Sequence, residues 1–245
     1  MFSSLSFPKQ SGEQIVSQAV TGAIASLFKK TGKLQADLKA EPIAKLFQGS
    51  VDGFNFVGSG MQMYNGLRLE GMELYLKAVS IDFGSIFNGK VKLRQPTEAS
   101  MRIVLTENDL TSSFNTAFII EKLQKLSYQG HSLNFSNTAI EINADKSLNL
   151  TSAIALGDTG EIINVHIKGN IALEGRTKIQ LTNVELKGND QAQSLSQLLV
   201  DHVNNLLDLD KFTLNGSNLR VDRLTIRDKE LIFYGTAEIN HFPQK

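Results

Sequence analysis

Between residues 76 and 116 apolar side chains recur at every second position three times over, which is the period of a strand with one buried face. The stretch reads LKAVSIDFGSIFNGKVKLRQPTEASMRIVLTENDLTSSFNT. Val79, Ile81 and Phe83 alternate first. Gly84 breaks that run, and Asn88-Gly89 is a hairpin signal, because both residues accept the left-handed backbone of a tight turn. Val91 and Leu93 alternate next, as far as Gln95-Pro96-Thr97. Met101, Ile103 and Leu105 then share one face, with Ser100, Arg102 and Val104 on the other. Thr106 with Asp109 three residues later predicts a capped helix start. Strands joined this closely are antiparallel neighbours, since a parallel crossover needs a dozen or more residues.

The same grammar extends in both directions. Residues 11–30 carry Ile15, Val16, Ala19, Val20, Ala23, Ile24, Leu27 and Phe28 on a helical period. Ser11 with Gln14 gives that helix a capping box, Lys29 and Lys30 suit its C-terminal dipole, and Gly32 stops it. The opposite face, Ser17, Gln18, Thr21 and Ser26, is small and uncharged. A membrane-surface helix carries Lys or Arg there, so this stripe is expected to pack on the chain's own sheet. A strand at 34–40, a short helix at 43–48 after Pro42, and strands at 50–63, 67–69 and 72–76 follow, with Asn65-Gly66 as a turn. After Thr106 a helix broken near Asn115-Thr116 leads to strands at 132–135, 138–144, 147–156, 161–173 and 177–187. A helix over 190–207 and strands at 212–214, 219–226 and 230–239 complete the order. Runs of strands interrupted by amphipathic helices make an α+β chain rather than a βαβ repeat. No low-complexity linker divides it, so residues 1–245 are expected to form a single domain. Residues 65–74 echo 218–226, which suggests a duplicated unit, although strand alternation alone produces such likeness.

The phrasing Val-Ser-Ile-Asp-Phe-Gly-Ser-Ile, then Gly-Lys-Val-Lys-Leu-Arg-Gln-Pro-Thr, then Leu-Thr-Glu-Asn-Asp-Leu, resembles the DUF2993 family, also called the LmeA-like phospholipid-binding family. The likeness runs over most of the chain from Leu46 onward and is greatest to the family's cyanobacterial members. The resemblance implies a long, twisted antiparallel sheet curled around amphipathic helices, in a tubular lipid-binding arrangement. It also implies non-catalytic binding of phospholipid or a related amphiphile in an apolar cavity or groove, with transfer or presentation at a membrane surface as its use. A structural or protein-interaction module with a filled core is the alternative.

Catalytic patterns are missing. The four histidines, His131, His166, His202 and His241, have no metal-ligand spacing. There is no cysteine, hence no disulfide or thiolate site. A GxSxG elbow, a P-loop and a dinucleotide fingerprint are absent. Asp82 sits in an apolar run, but no second polar group converges on it. The reading is therefore a protein that is not an enzyme and needs no cofactor. Lys plus Arg balance Asp plus Glu at 25 each, which removes any bulk pull toward nucleic acid. Residues 1–8 lack a signal peptide's basic start and apolar run, and no window reaches about 18 apolar residues. The expected location is cytoplasmic, with peripheral membrane contact.

Two sets of residues are candidates for binding. The apolar faces give Ile24, Phe28, Phe54, Phe56, Ile81, Phe83, Ile103, Phe114, Phe118 and Leu199 as lining for acyl chains. A cavity wall and a filled core share one binary pattern, so the sequence leaves both readings open. A 16-carbon chain gains roughly 10 kcal/mol on burial before ordering costs, so affinity requires no special chemistry. Lys90, Lys92 and Arg94 alternate after Asn88-Gly89 and are candidates for headgroup phosphate, or else an ordinary solvated strand face.

Overall fold

A computed structural model of the chain describes residues 11–42, 44–86, 88, 90, 92–210 and 217–240. Helix α1 (Ser11–Ala25) precedes β1 (Leu34–Lys39), α2 (Ala44–Phe47), β2 (Ser50–Gln62), β3 (Arg68–Ser80), α3 (Phe83–Ile86) and β4 (Thr97–Thr106). Then come α4 (Glu107–Phe114), α5 (Ala117–Leu123), β5 (Ser127–Tyr128), β6 (His131–Ile142), β7 (Leu148–Leu156), β8 (Glu161–Glu174) and β9 (Lys178–Lys187). Helix α6 (Asp190–Leu206), β10 (Ser217–Arg227) and β11 (Glu230–Ile239) follow. The expected strand at 212–214 lies outside the described residues. The Thr106–Asp109 capping box forms, and α4 and α5 are separate helices broken at Asn115.

The α+β class with long antiparallel strands is what the structure shows, but the strands divide into two open sheets instead of one curled sheet. The order is β1-β2-β3-β4-β11-β10 in the first and β5-β6-β7-β8-β9 in the second. The reason lies at β4, whose outer side pairs with β11 along its whole length. That edge is taken, so β5 to β9 build a sheet of their own. The plan does repeat, though not through residues 65–74 and 218–226, which fall in a central and an edge strand. What recurs is a helix followed by a four-strand meander, β1 to β4 and β6 to β9.

Register aligns the apolar residues of the first sheet into rows that cross all six strands. One row is Leu38, Phe54, Leu76, Ala99, Ala237 and Leu219; the next is Ala36, Phe56, Leu74, Met101, Gly235 and Val221. Both rows are almost wholly buried, with α1 contributing Val20 and Ile24 to the same core. A Cβ at Gly235 would run into the Arg220 carbonyl oxygen, so this position in the second row must be glycine. The second sheet packs Leu150, Ile154, Ile163, Val165 and Ile167 against Leu195, Leu199 and Val203 of α6.

β8 and β9 run on past the end of β7, whose pairing stops at Gly169. The extension is a two-stranded arm that lays Ile171, Leu173 and Ile179 on the first sheet's core. Its tip is fastened by Val221 N–H donating to the Arg176 carbonyl at 2.7 Å. A small cluster of Ile142, Leu148, Ile226 and Leu231 adds a second seam between the sheets.

The polar face of α1 is only partly in solvent: Gln18 is exposed, but Ser17 and Thr21 turn to the sheet. Ser17 is only 3 % exposed, and it lies along the open edge of β1. Ala36 N–H donates to Thr21 Oγ1 at 3.1 Å, and Leu38 N–H reaches Ser17 Oγ at 3.4 Å. Helix α4 treats β6 the same way. Ile140 N–H donates to Thr111 Oγ1 at 2.9 Å, Asn115 Nδ2 donates to the Thr138 carbonyl at 2.7 Å, and Ile142 N–H donates to Glu107 Oε1 at 2.6 Å. On β9, Leu181 N–H donates to Asn204 Oδ1 of α6 at 2.8 Å. An unpaired strand edge is a template for association, and these side chains occupy it.

The central stretch departs from simple alternation. β3 ends at Ser80, and Phe83–Ile86 is a helical turn rather than the end of a strand. Ala78 has a positive φ of 53°, which bends the strand there, and Ser85 Oγ closes the turn by donating to the Asp82 and Lys90 carbonyls. Val79, Ile81 and Phe83 nonetheless all enter the first core. Gly89 and Val91 lie outside the described residues, and Leu93 forms an isolated bridge with Ile81 in place of a strand.

Replacing Thr21 by Val leaves the buried Ala36 N–H without its acceptor. We expect a loss of about 1–3 kcal/mol in denaturant unfolding, together with faster amide exchange at Ala36 than at central-strand positions.

Candidate functional site

A third row across the first sheet differs from the two beside it. It runs Leu34, Gly58, Met72, Ile103, Phe233 and Leu224, again in unbroken register. Every side chain in it is apolar, yet all but Gly58 are only half-buried. On one side lies the filled core of the first two rows. On the other, Leu105, Leu231 and Ile226 continue the sheet and pack with Ile142 and Leu148 of the second sheet. The result is a half-exposed apolar strip flanked by two packed clusters.

The elements around the strip explain why it stays open. Helix α1 attends the β1 edge, and the residues after it bond to the end of β2: Lys29 N–H donates to the Gln62 carbonyl and Gly32 N–H to the Ser59 carbonyl. This brings Leu27 and Phe28, both half-buried, onto the same cluster. At the opposite edge the β8–β9 arm supplies Ile171 and Leu173, also half-buried. Covering elements thus sit at both edges, and the middle strands β3 and β4 present Met72, Leu74 and Ile103 between them.

Of the ten residues expected as lining, seven come together in the first core and three lie elsewhere. Ile24, Phe28, Phe54, Phe56, Ile81, Phe83 and Ile103 belong to the first core, and of these only Phe28 and Ile103 are part-exposed. Phe56 is 1 % exposed and is packed on all sides. Phe114 and Leu199 belong to the core of the second sheet. Phe118 is half-buried beside Lys122, whose Nζ lies 4.9 Å from the ring centre. Met72, Phe233, Leu224, Ile171 and Leu173 were not anticipated as lining. Their own alternation was visible, but their adjacency depends on pairing residues more than a hundred positions apart.

Lys90, Lys92 and Arg94 are all exposed, on a loop and not on a strand face. Arg94 has a fixed task, since its Nη1 donates to the Gln48 carbonyl at the end of α2 at 2.7 Å. Nearby, Asp52 is held below its ordinary range by the Glu41 N–H and by Lys45, whose Nζ is 2.8 Å away. Asp82 is half-buried and gives its N–H to the Lys92 carbonyl and its own carbonyl to Ser85. Among the described residues no cluster of His, Asp and Glu suits a metal. His202 Nε2 lies 2.9 Å from the Lys122 carbonyl, and His241 lies outside the described residues. No helix of the described residues is long and apolar enough to cross a membrane.

A surface depression of about 480 Å³ opens on the other face of the first sheet, lined by Glu98, Arg176, Asn218, Arg220 and Glu238 among others. Most of its charges are matched: Arg176 pairs with Asp222 and Arg220 with Asp210, both at 2.7 Å, and Asn218 donates to Glu238 at 3.0 Å. The lining is mainly polar and does not suit an acyl chain.

The sequence model of the LmeA-like phospholipid-binding family matches residues 9–236. No curated protein and no solved structure matches the chain.

Core and strip separate by mutation. Phe56→Ala is expected to lower the unfolding free energy by about 3–5 kcal/mol, whereas Ile103→Ala lowers it by about 1 kcal/mol, in proportion to the smaller area it hides. Urea midpoints at unchanged slope are the measure.

Proposed function

We propose that this chain, which belongs to the LmeA-like phospholipid-binding family, holds a phospholipid or related amphiphile with its acyl portion along the half-exposed strip of Met72, Ile103, Phe233 and Leu224. The observation that carries the reading is the strip itself. Partly buried apolar side chains in unbroken register, flanked by filled core, leave apolar area that a ligand with a long apolar tail would cover. The dimension agrees. The row crosses six strands, and at about 4.8 Å per gap that is roughly 24 Å, against about 15 Å for one leaflet of a bilayer's hydrocarbon core.

Binding of this kind needs no acid, base or nucleophile, and the side chains of the strip itself are all apolar. The function proposed is retention, transfer or presentation of a lipid without chemistry on it. The two sheets act as one domain for this purpose, because the β8–β9 arm is both a piece of the second sheet and a wall of the strip.

A second reading, an interaction module with a filled core, is favoured by the near-complete burial of Phe54, Phe56, Ile81 and Phe83. One measurement separates the two. Native mass spectrometry of gently purified protein, with organic extraction of the same sample, is expected to show a stoichiometric phospholipid or glycolipid. Ile103→Lys is expected to reduce that adduct by tenfold or more, since an ammonium on the strip has no partner and must stay hydrated. If neither the native protein nor protein incubated with mixed phospholipids carries an adduct, the module reading replaces this one.

A further inference from the structure

Phe47 stands out from the rest of the surface. It is 70 % exposed, the largest value for a big apolar side chain among the described residues, and it closes the four-residue α2. Its neighbour Leu46 is fully buried and anchors the turn. A single exposed phenylalanine is unremarkable on any surface. This one is held in place from three directions. Its ring meets Phe83 edge-on at 5.4 Å. Arg94 Nη1 ties down the carbonyl of the next residue, Gln48. Asp52 grips the preceding turn through Lys45 Nζ and the Glu41 N–H, each at 2.8 Å.

The turn that carries Phe83 also carries cations. Lys90 N–H donates to the Ser85 carbonyl at 3.0 Å, and the Lys92 carbonyl accepts from Asp82 N–H at 2.8 Å. Both lysine side chains are exposed, and neither forms an ion pair among the described residues. The acids of the same corner are otherwise engaged. Asp52 is bound to Lys45, Glu41 lies 3.7 Å from Lys39, and Asp82 is half-buried. The corner therefore offers an immobilised aromatic ring beside unmatched positive charge. An apolar side chain that enters the headgroup layer, with lysines that meet anionic phosphate, is the two-signal combination that reversible membrane attachment requires.

We propose that the α2–α3 corner, with Phe47 as the inserting side chain and Lys90 and Lys92 as headgroup contacts, is the surface by which the protein docks on an anionic lipid bilayer. The corner is distinct from the strip, since Phe47 lies beyond the fully buried rows of the first sheet. Docking gives the lipid-holding reading its route to the membrane and rests on that reading for its purpose, though not for its physics.

The test is co-sedimentation with phosphatidylcholine vesicles with and without phosphatidylglycerol. Native protein is expected to bind only the anionic vesicles and to lose binding as salt rises. Phe47→Ser is expected to weaken binding by about tenfold or more, and Lys90→Gln and Lys92→Gln by about fivefold each. Ile162→Ser removes a side chain that is also exposed, at 62 %, on the second sheet and is expected to change nothing. Phe47→Ser keeps its fold because the ring is already in water, which circular dichroism verifies. Equal binding by Phe47→Ser and native protein, or equal binding to both vesicle types, overturns the proposal. Native mass spectra of the same variants keep the two ideas apart. Loss of docking with the lipid adduct intact supports the corner alone, and an adduct-free protein that still docks removes the strip and leaves the corner standing.

Discussion

The arrangement depends on what happens to the open edges of its strands. A sheet edge exposes a row of N–H and C=O groups, and burying such groups unpaired costs about 1–3 kcal/mol apiece. Here α1, α4 and α6 each turn short polar side chains toward one edge: Ser17 and Thr21 to β1, Thr111 and Asn115 to β6, Asn204 to β9. Hydroxyls and carboxamides suit this work because one group both donates and accepts at a backbone site. The apolar stripes of the same helices pack on the sheets, so each helix is oriented by two faces at once. That double attachment fixes where the helices sit and leaves the middle of the first sheet uncovered.

The strip is a consequence of that placement. Had α1 lain across β3 and β4, Met72 and Ile103 would have been buried like Leu76 and Met101. It lies at the β1 edge instead, and the β8–β9 arm lies at the β10 edge. An apolar surface in solution weakens nothing in the fold, but it is surface whose burial remains available. That unspent burial distinguishes a binding face from a core built of the same residues.

Much of the fold was legible in the sequence because strands and helices carry different periods. The Thr106 cap, the break at Asn115 and the long strand β8 follow from spacing and turn chemistry, as does α1 up to Ala25; the helix stops there and not at Lys30, so Leu27, Phe28, Lys29 and Lys30 lie beyond it. The edge contacts were not legible, since Ser17 and Thr21 look like any solvated helix face until β1 is set beside them. Nor was the division into two sheets, which is decided by β11 returning to β4, with Thr106 paired to Glu230 at one end of the ladder across the 123 residues between them. β6 was read as two strands for a plain reason. Leu133 and Phe135 stand at odd positions and Ile140 and Ile142 at even ones, so alternation fails across Asn137. The structure keeps one strand and absorbs the change in a bulge, with Asn137 at a φ of 52°. For the candidate site, single residues such as Ile103 and Phe28 were within reach, but the row they belong to exists only in the register.

The bulges bear on how this chain tolerates change in length. In β10, Leu219 and Val221 face the core from odd positions and Leu224 and Ile226 from even ones, with Asp222 as the extra residue between them. Asp222 itself is exposed, so exchanging it for another polar residue disturbs little of the interior. Deleting it is a different event. The frame of the strand would shift by one, and either the first pair or the second would swing from core to water. Asn137 in β6 stands at the same kind of junction. Positions that look expendable by side chain are therefore the ones where the count of residues is fixed.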